Sequence, residues 1–584
     1  MQSGSPFFDR QKNVLTVVFA SVCIGNVRNL LFSLDLQSCP LYNIKECICR
    51  TCGVRHAVET ASGSAVFDGG MYAGVCPKGE KMDGQKKKTI VLIAFYNVKA
   101  LGVRYLEGAL ERAGYRVKLI FFKGFNSQNP QVATEKEISL CIERIRTENP
   151  LFVGLSVMSS MYLESVEKLV DALRALDMPL VFGGAFASMF PERFLDAPNR
   201  FVIRADGEIP MTKLAAALES GADYTSIPSL CYRDGDGKAV VNEIGDILED
   251  IDGYGLPVIH SKEACYIEHD TLSEGDPQLS SPSYEVIASR GCPFTCSYCC
   301  CVNLHRMFPK ETKYVRTRSV ESVIAELIEA KKQMKNLVFV HFYDEIFPNT
   351  PGWIDRFIVE YKKHIHLPFT IWSHPKMVRE DELKKLVSVG LTEVIMGIQS
   401  GSPYIRKEIF HRFETQEDII EATRIIRRSG VFWSSYDFML QHPFEKIEHL
   451  KETYALVREL AMPLELQLHG LNFLPGTDIV EMAIEQGHIT REEMDTIMYA
   501  PMKAQFDAYW KREDERESRL WYRLIYCLQF KDCRKKCDLY AQDIDRYEQA
   551  IDAMYLKCEK RAKYRYYYKK GRVVLRSLRM RLFK

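Results

Sequence analysis

The chain has no charge bias, no long apolar run and no histidine between His56 and His260. Its 78 Lys and Arg against 77 Asp and Glu leave a net charge of +1. That balance excludes neither nucleic acid nor a membrane as partner, because the charge is uneven: the tail from Lys560 to Lys584 is dense in Lys and Arg, so the rest is acidic on balance. The one apolar stretch near the start, VLTVVFASVCIG (14–25), is too short to span a bilayer. Arg10 and Lys12 precede it as in a signal peptide, but Asp9 sits in the flank and no small-residue cleavage site follows cleanly. It reads as a buried strand, and the chain is expected in the cytoplasm. No internal repeat of solenoid length is present.

What is there is length and cysteine. At 584 residues the chain exceeds one core, which predicts about two to four domains. Its 18 cysteines do not suit a small, loop-rich exported fold. Clustered as CICRTC (47–52) and CPFTCSYCCC (292–301), they read instead as metal ligands in a reducing compartment.

Residues 1–87 form a cysteine-rich extension ending in GEKMDGQKKK, a linker composition. From Thr89, buried-strand runs alternate with helical segments: TIVLIAF (89–95), RVKLIFF (116–122), LFVGLSV (151–157), PLVFGG (179–184) and FVIRADG (201–207). Five such repeats over 88–225 predict a parallel sheet with helices on both faces, and ligands at the carboxyl ends of the strands. A linker at 226–284 holds a hairpin-like turn, RDGDGK. A second series over 285–485 has six strands, near 283–291, 336–344, 368–374, 393–399, 432–440 and 465–474. These predict a partial (β/α) barrel with its chemistry at the carboxyl strand ends. Residues 486–584 read as helical and increasingly basic.

Cys292, Cys296 and Cys299 leave the first barrel strand with the spacing C-x3-C-x2-C. Three soft thiolates on a short loop can converge on one face of a [4Fe–4S] cubane and leave one iron open. An open iron can chelate the amino and carboxylate groups of S-adenosylmethionine (SAM). The rival is zinc, which usually takes four ligands from two separated pairs; Cys300 or Cys301 would have to supply the fourth.

With Tyr298 just before the third cysteine, this loop and the barrel behind it resemble the radical SAM superfamily over roughly 200 residues. The resemblance implies SAM contacts from Tyr298, from Asp344 and Glu345 in FYDEIF, from Gln399 and Ser400 in MGIQSGS, and from Arg412 and Asp437. Gln399 departs from the family's usual Glu. PGT (475–477) matches the turn after the sixth strand. Taken singly, Asp344, Glu345 and Arg412 are equally readable as salt-bridged strand-end residues. No catalytic side chain is identifiable.

Residues 88–225 resemble the Rossmann-like cobalamin-binding domain often fused ahead of such barrels. The matching loops carry Asn97 in FYNVKALGVRYL, Ser156 and Ser159 in GLSVMSSMY, and Gly183, Gly184 and Ala185 in GGAFASMFPE. Small residues there leave room for a nucleotide tail, although close helix-on-sheet packing explains glycines too. No acidic residue ends the middle strand, as a response regulator requires, and GVRYLEG lacks the dinucleotide-binding spacing. The family's Asp-x-His-x-x-Gly loop has no counterpart, so cobalamin is expected base-off without a histidine ligand.

The resemblance implies an α/β enzyme using a [4Fe–4S] cluster, SAM and cobalamin, served by a flavodoxin- or ferredoxin-type electron donor. Methylation of an unactivated carbon is the first expectation. Radical rearrangement or cyclisation is the second, and a non-catalytic corrinoid or cluster carrier the third. The acceptor is a small molecule, lipid or peptide. Cys47, Cys49 and Cys52 are candidates for a second metal, and reduced, partly buried thiols explain them equally well. The basic, Tyr-rich end suits a solvated or protein-docked helix first and a membrane surface second, with nucleic acid disfavoured.

Overall fold

The computed structural model describes residues 88–126, 129–505 and 515–582. Cys47, Cys49 and Cys52, and the strand expected at 14–25, lie outside them.

The five predicted strands form: β1 (Thr89–Phe95), β2 (Arg116–Phe122), β3 (Val153–Ser156), β4 (Leu180–Gly183) and β5 (Arg200–Ile203). In β1 and β2 all residues but the first are buried, as continuous apolar runs covered on both faces should be. The order β5-β4-β3-β1-β2 is parallel, and the chain reverses its direction of travel beside β1. A crevice opens between β1 and β3 at such a reversal.

The stretch 226–284 extends this sheet at both edges. β6 (Leu230–Arg233) and β7 (Ala239–Val241) make the expected hairpin, with β6 antiparallel to β5. β8 (Cys265–Glu268) lies parallel to β2, and β9 (Thr271–Glu274) closes the other edge of a nine-stranded sheet.

The second sheet holds β10 (Ser283–Val286), then, beyond a two-residue ribbon of β11 (Ser289–Arg290) and β12 (Arg316–Thr317), β13 (Phe339–Phe342), β14 (Phe369–Ser373), β15 (Leu391–Gln399), β16 (Trp433–Met439) and β17 (Glu465–His469). The six barrel strands are parallel and lie in chain order, the partial barrel that alternation predicts. Val286, Phe342, Ile371, Tyr436 and Phe438 pack outward into the apolar layer under the helices. By strand alternation Glu285, His341, Trp372, Asp437 and Gln467 face the concave interior.

After β17 the described chain is helical, ending in a helix from Ile544 to Leu582. It lies against the barrel rather than free in solvent. Arg565 Nη2 donates to the Leu464 carbonyl at 2.7 Å, and Lys569 pairs with Glu393 and Glu465.

Polar contacts tie the loops of the first sheet to the segments that lead into the second. Arg104 and Asp276 pair at 2.7 Å with neither side chain exposed. Asp206, in the loop after β5, accepts from Arg290 at 2.9 Å and Arg316 at 2.6 Å, one on each strand of the ribbon. Lys99 Nζ donates to Ser281 Oγ and to the Ser283 carbonyl, both at 2.7 Å.

Candidate active site

The cysteine loop starts from a backbone that only glycine serves. Gly291 has φ +89°, and a Cβ there would stand 2.6 Å from the Tyr314 carbonyl oxygen. Beyond it, contacts on three sides fix the loop. Ser297 N–H donates to the Phe410 carbonyl at 3.2 Å, and Ile479 N–H donates to the Ser297 carbonyl at 3.1 Å. The Phe294 ring stacks on His374 with centroids 3.8 Å apart, and Tyr298 meets Phe410 edge-on. Cys296 is buried; Cys292 and Cys299 are half-buried.

Arg412 links this loop to the barrel. Its guanidinium donates to the Gly397 carbonyl at 2.7 Å and to Tyr298 Oη at 3.3 Å, lies 4.0 Å from Cys296 Sγ, and pairs with Glu414 at 2.7 Å. Glu414 in turn meets His374 at 3.4 Å. Burial works against an ionised Glu414, yet His374 and Arg412 hold it at about 2. Burial pushes the Cys292 thiol up to about 12; it also raises Cys296, where Arg412 pulls the other way. His374, Phe294 and Glu414 were not singled out in the sequence. His374 ends a predicted strand, but nothing in the sequence brings it to Glu414.

The other candidates divide by what their polar atoms do. Asp344 Oδ1 accepts from Ala288 N–H at 2.9 Å and Ser289 Oγ–H at 2.6 Å, tying the end of β13 to the segment before the cysteines. Its Oδ2 is buried without a partner, and burial pushes its carboxyl up to about 7. Glu345 stands near Cys299 and Cys301, and burial raises its carboxyl. Strand β15 shifts register between Gly397 and Gln399, leaving Gln399 at φ 71°. Ser400 turns inward, its carbonyl accepting from Arg406 at 2.8 Å. Asp437 Oδ1 is also buried and unpartnered; burial, then Glu393 and Glu465, push that carboxyl up to about 7. Arg412, Tyr298, Cys296 and Gln399 thus gather at one strand end, and Asp437 lies on the interior of the next strand.

In the first sheet, Asn97 follows β1, Ser156 ends β3 with Ser159 in the loop after it, and Gly183 ends β4 with Gly184 and Ala185 after it. They line the carboxyl edge beside the reversal. Asn97 Oδ1 accepts from Lys99 and Ala100 N–H, both at 2.9 Å, and Ser159 caps the short turn at Met161. Gly184 has φ +97°, and a Cβ would press to 2.7 Å from the Val157 carbonyl oxygen. The short helix it begins, Ala185–Met189, packs on the helix Cys300–Met307 that follows the third loop cysteine.

Two family models match the chain: the radical SAM superfamily over residues 286–457, and the B12 binding domain over 87–215. The chain belongs to the cobalamin-dependent radical SAM enzymes. This radical SAM enzyme is 22% identical to cytidylyl-2-hydroxyethylphosphonate methyltransferase of Streptomyces wedmorensis, over 67% of this chain and 79% of that protein. It is 24% identical to the anaerobic magnesium-protoporphyrin IX monomethyl ester cyclase of Rubrivivax gelatinosus, over 61% of each chain. Its fold is similar to that of the radical SAM methyltransferase TsrM from Kitasatospora setae, solved with cobalamin and a [4Fe–4S] cluster: TM-score 0.53 at 17% identity, over 70% of this chain and 79% of that one.

Does this chain fit those groups? For the cluster, three thiols share one loop with a guanidinium beside them, a donor set suited to thiolate ligation. Zinc would want a fourth ligand beside these three thiols, and only the adjacent Cys300 and Cys301 are on hand in this loop. For SAM, the unpartnered buried oxygens of Asp344 and Asp437 are polar atoms that lack a protein donor. For cobalamin, glycine at 184 lets the loops after β3 and β4 approach each other closely, and Gly183 beside it carries no side chain at the strand end. No histidine lies in 88–225.

Proposed function

We propose that this enzyme methylates an unactivated carbon of a small-molecule, lipid or peptide acceptor. The carrying observation is the packing of the Gly184 helix on the helix behind the loop cysteines, braced by Asp206 between Arg290 and Arg316. This packing supports the reading, because a reaction needing both groups at one substrate requires their loops to lie close together.

Cys292, Cys296 and Cys299 hold the cluster. Arg412 and Tyr298 orient one side of the SAM site; Asp437 and Gln399 offer it hydrogen-bonding oxygens. Ser156, Ser159 and Gly183 to Ala185 cradle cobalamin, with Asn97 shaping the facing loop. When bound, the three groups supply a reduced cluster, a cleavable sulfonium and a methyl carrier, and the protein supplies orientation and exclusion of water. The electron comes from a flavodoxin- or ferredoxin-type donor. Methyl transfer is favoured over rearrangement by the names of the phosphonate enzyme and TsrM; the cyclase supports the second reading.

Reconstituted anaerobically with cobalamin, reductant and SAM, the enzyme should form both S-adenosylhomocysteine and 5′-deoxyadenosine. Deoxyadenosine alone favours rearrangement, and neither product overturns catalysis.

In this reading cobalamin binds with its own base displaced, and no histidine takes that place, since residues 88–225 contain none. Paramagnetic resonance of the Co(II) protein should show no nitrogen splitting from an axial ligand. Observed splitting would refute the assignment.

A further inference from the structure

The helix Ile544–Leu582 has two working faces, and the second has no partner among the described residues. Its inward face belongs to the barrel: Ile551, Met554, Cys558 and Val574 are buried, and Arg565, Arg576 and Arg581 donate to carbonyls of Leu464, Val387 and Leu337. Those contacts hold a 39-residue helix along the protein. The opposite side carries Lys560, Tyr564, Tyr567, Tyr568, Leu575 and Leu582, which fall within one stripe on a helix of 3.6-residue period. Tyr564 is 64% exposed, Tyr567 66% and Leu582 75%, a run of large apolar side chains in water.

Charge along the same stretch is of one sign. From Lys560 to Leu582 there are ten Lys or Arg and no Asp or Glu. Arg561 pairs with Asp532 and Lys569 enters the barrel, whereas Lys560, Lys563, Lys570, Arg572 and Arg579 make no ion pair among the described residues. Beside the stripe a cleft of about 640 Å³ opens between helix and barrel. Arg572, Arg576 and Arg579 line it over an apolar floor of Phe432, Leu575 and Met580.

We propose that this outward face docks on an anionic phospholipid membrane. Guanidiniums around an apolar floor match a phosphate headgroup with an acyl chain attached. Tyrosines place a ring at headgroup depth and keep the hydroxyl wet, and lysine stems reach outward past them. No described helix is long and apolar enough to cross a membrane, so the attachment is peripheral. RNA would use the cations and could stack on the tyrosines, but exposed Leu575 and Leu582 gain nothing against a phosphate backbone.

The test is flotation of the full-length holoenzyme with vesicles of phosphatidylcholine alone and of phosphatidylcholine mixed with phosphatidylglycerol. Binding should appear with the mixed vesicles and weaken as salt rises. Replacing Arg572→Gln together with Arg579→Gln should lower the partition coefficient about tenfold or more, at about one headgroup attraction per cation. Tyr564→Ser/Tyr567→Ser/Tyr568→Ser should lower it comparably and leave iron content and helicity unchanged, since these side chains are exposed. Equal binding to both vesicle types, no binding to either, or variants that float like the parent would overturn the proposal. So would an RNA homopolymer that binds this face and displaces the vesicles.

Discussion

Two sets of cysteines occupy this molecule under opposite conditions. Cys292, Cys296 and Cys299 ride an irregular loop entered through a left-handed glycine, two of them half-buried, with Arg412 and Glu345 beside them. Cys527, Cys533, Cys537 and Cys558 belong to the last three helices or the turn between two of them, and all four are buried. Cys533 and Cys558 sulfurs lie 3.7 Å apart in a core shared with Leu520, Leu524 and Ile551. A loop can bend several backbone bonds to meet an inorganic cluster. Helices packed on a barrel cannot move without opening that core. Proximity of thiols therefore says less about metal than the backbone that carries them.

Replacing the loop set tests the larger half of that contrast. Cys292→Ala/Cys296→Ala/Cys299→Ala should remove about four irons per chain and take deoxyadenosine formation to background, at little cost in thermal stability. Iron analysis of the anaerobically rebuilt protein measures it. Unchanged iron would move the cluster elsewhere, and the reading of the site with it.

The same contrast explains what could be read in advance. The strands of both sheets were legible because Val, Ile, Leu and Phe runs such as TIVLIAF mark segments covered on both faces. β8 and β9 were not, since four residues of mixed polarity carry no period of their own and are strands because β2 offers an open edge. The loop cysteines were visible through their spacing, which is local. Glu414 bridging Arg412 to His374 was not, because its meaning depends on two strand ends meeting. The basic tail was read as a solvated or docked helix, and one face does dock. Lys569 reaching Glu393 and Glu465 inside the barrel is a tertiary fact with no local mark.

The smaller effect belongs to the helical set. Cys558 is 1% exposed, in an apolar core that also holds Cys527, Cys533 and Cys537. Packed this way, the sulfur acts as a small apolar group that fills the junction of three helices. Cys558→Ser puts a more strongly solvated hydroxyl in that junction and should cost about 1–3 kcal/mol of stability. Cys558→Ala should cost less, because it leaves a small void and no unsatisfied polar atom. In both variants iron per chain should equal the parent's. Denaturant titration beside iron analysis separates the alternatives. If Cys558→Ser loses iron in proportion to a second cluster, the four helical thiols are ligands after all, and buried packing is no longer the rule that distinguishes the two sets.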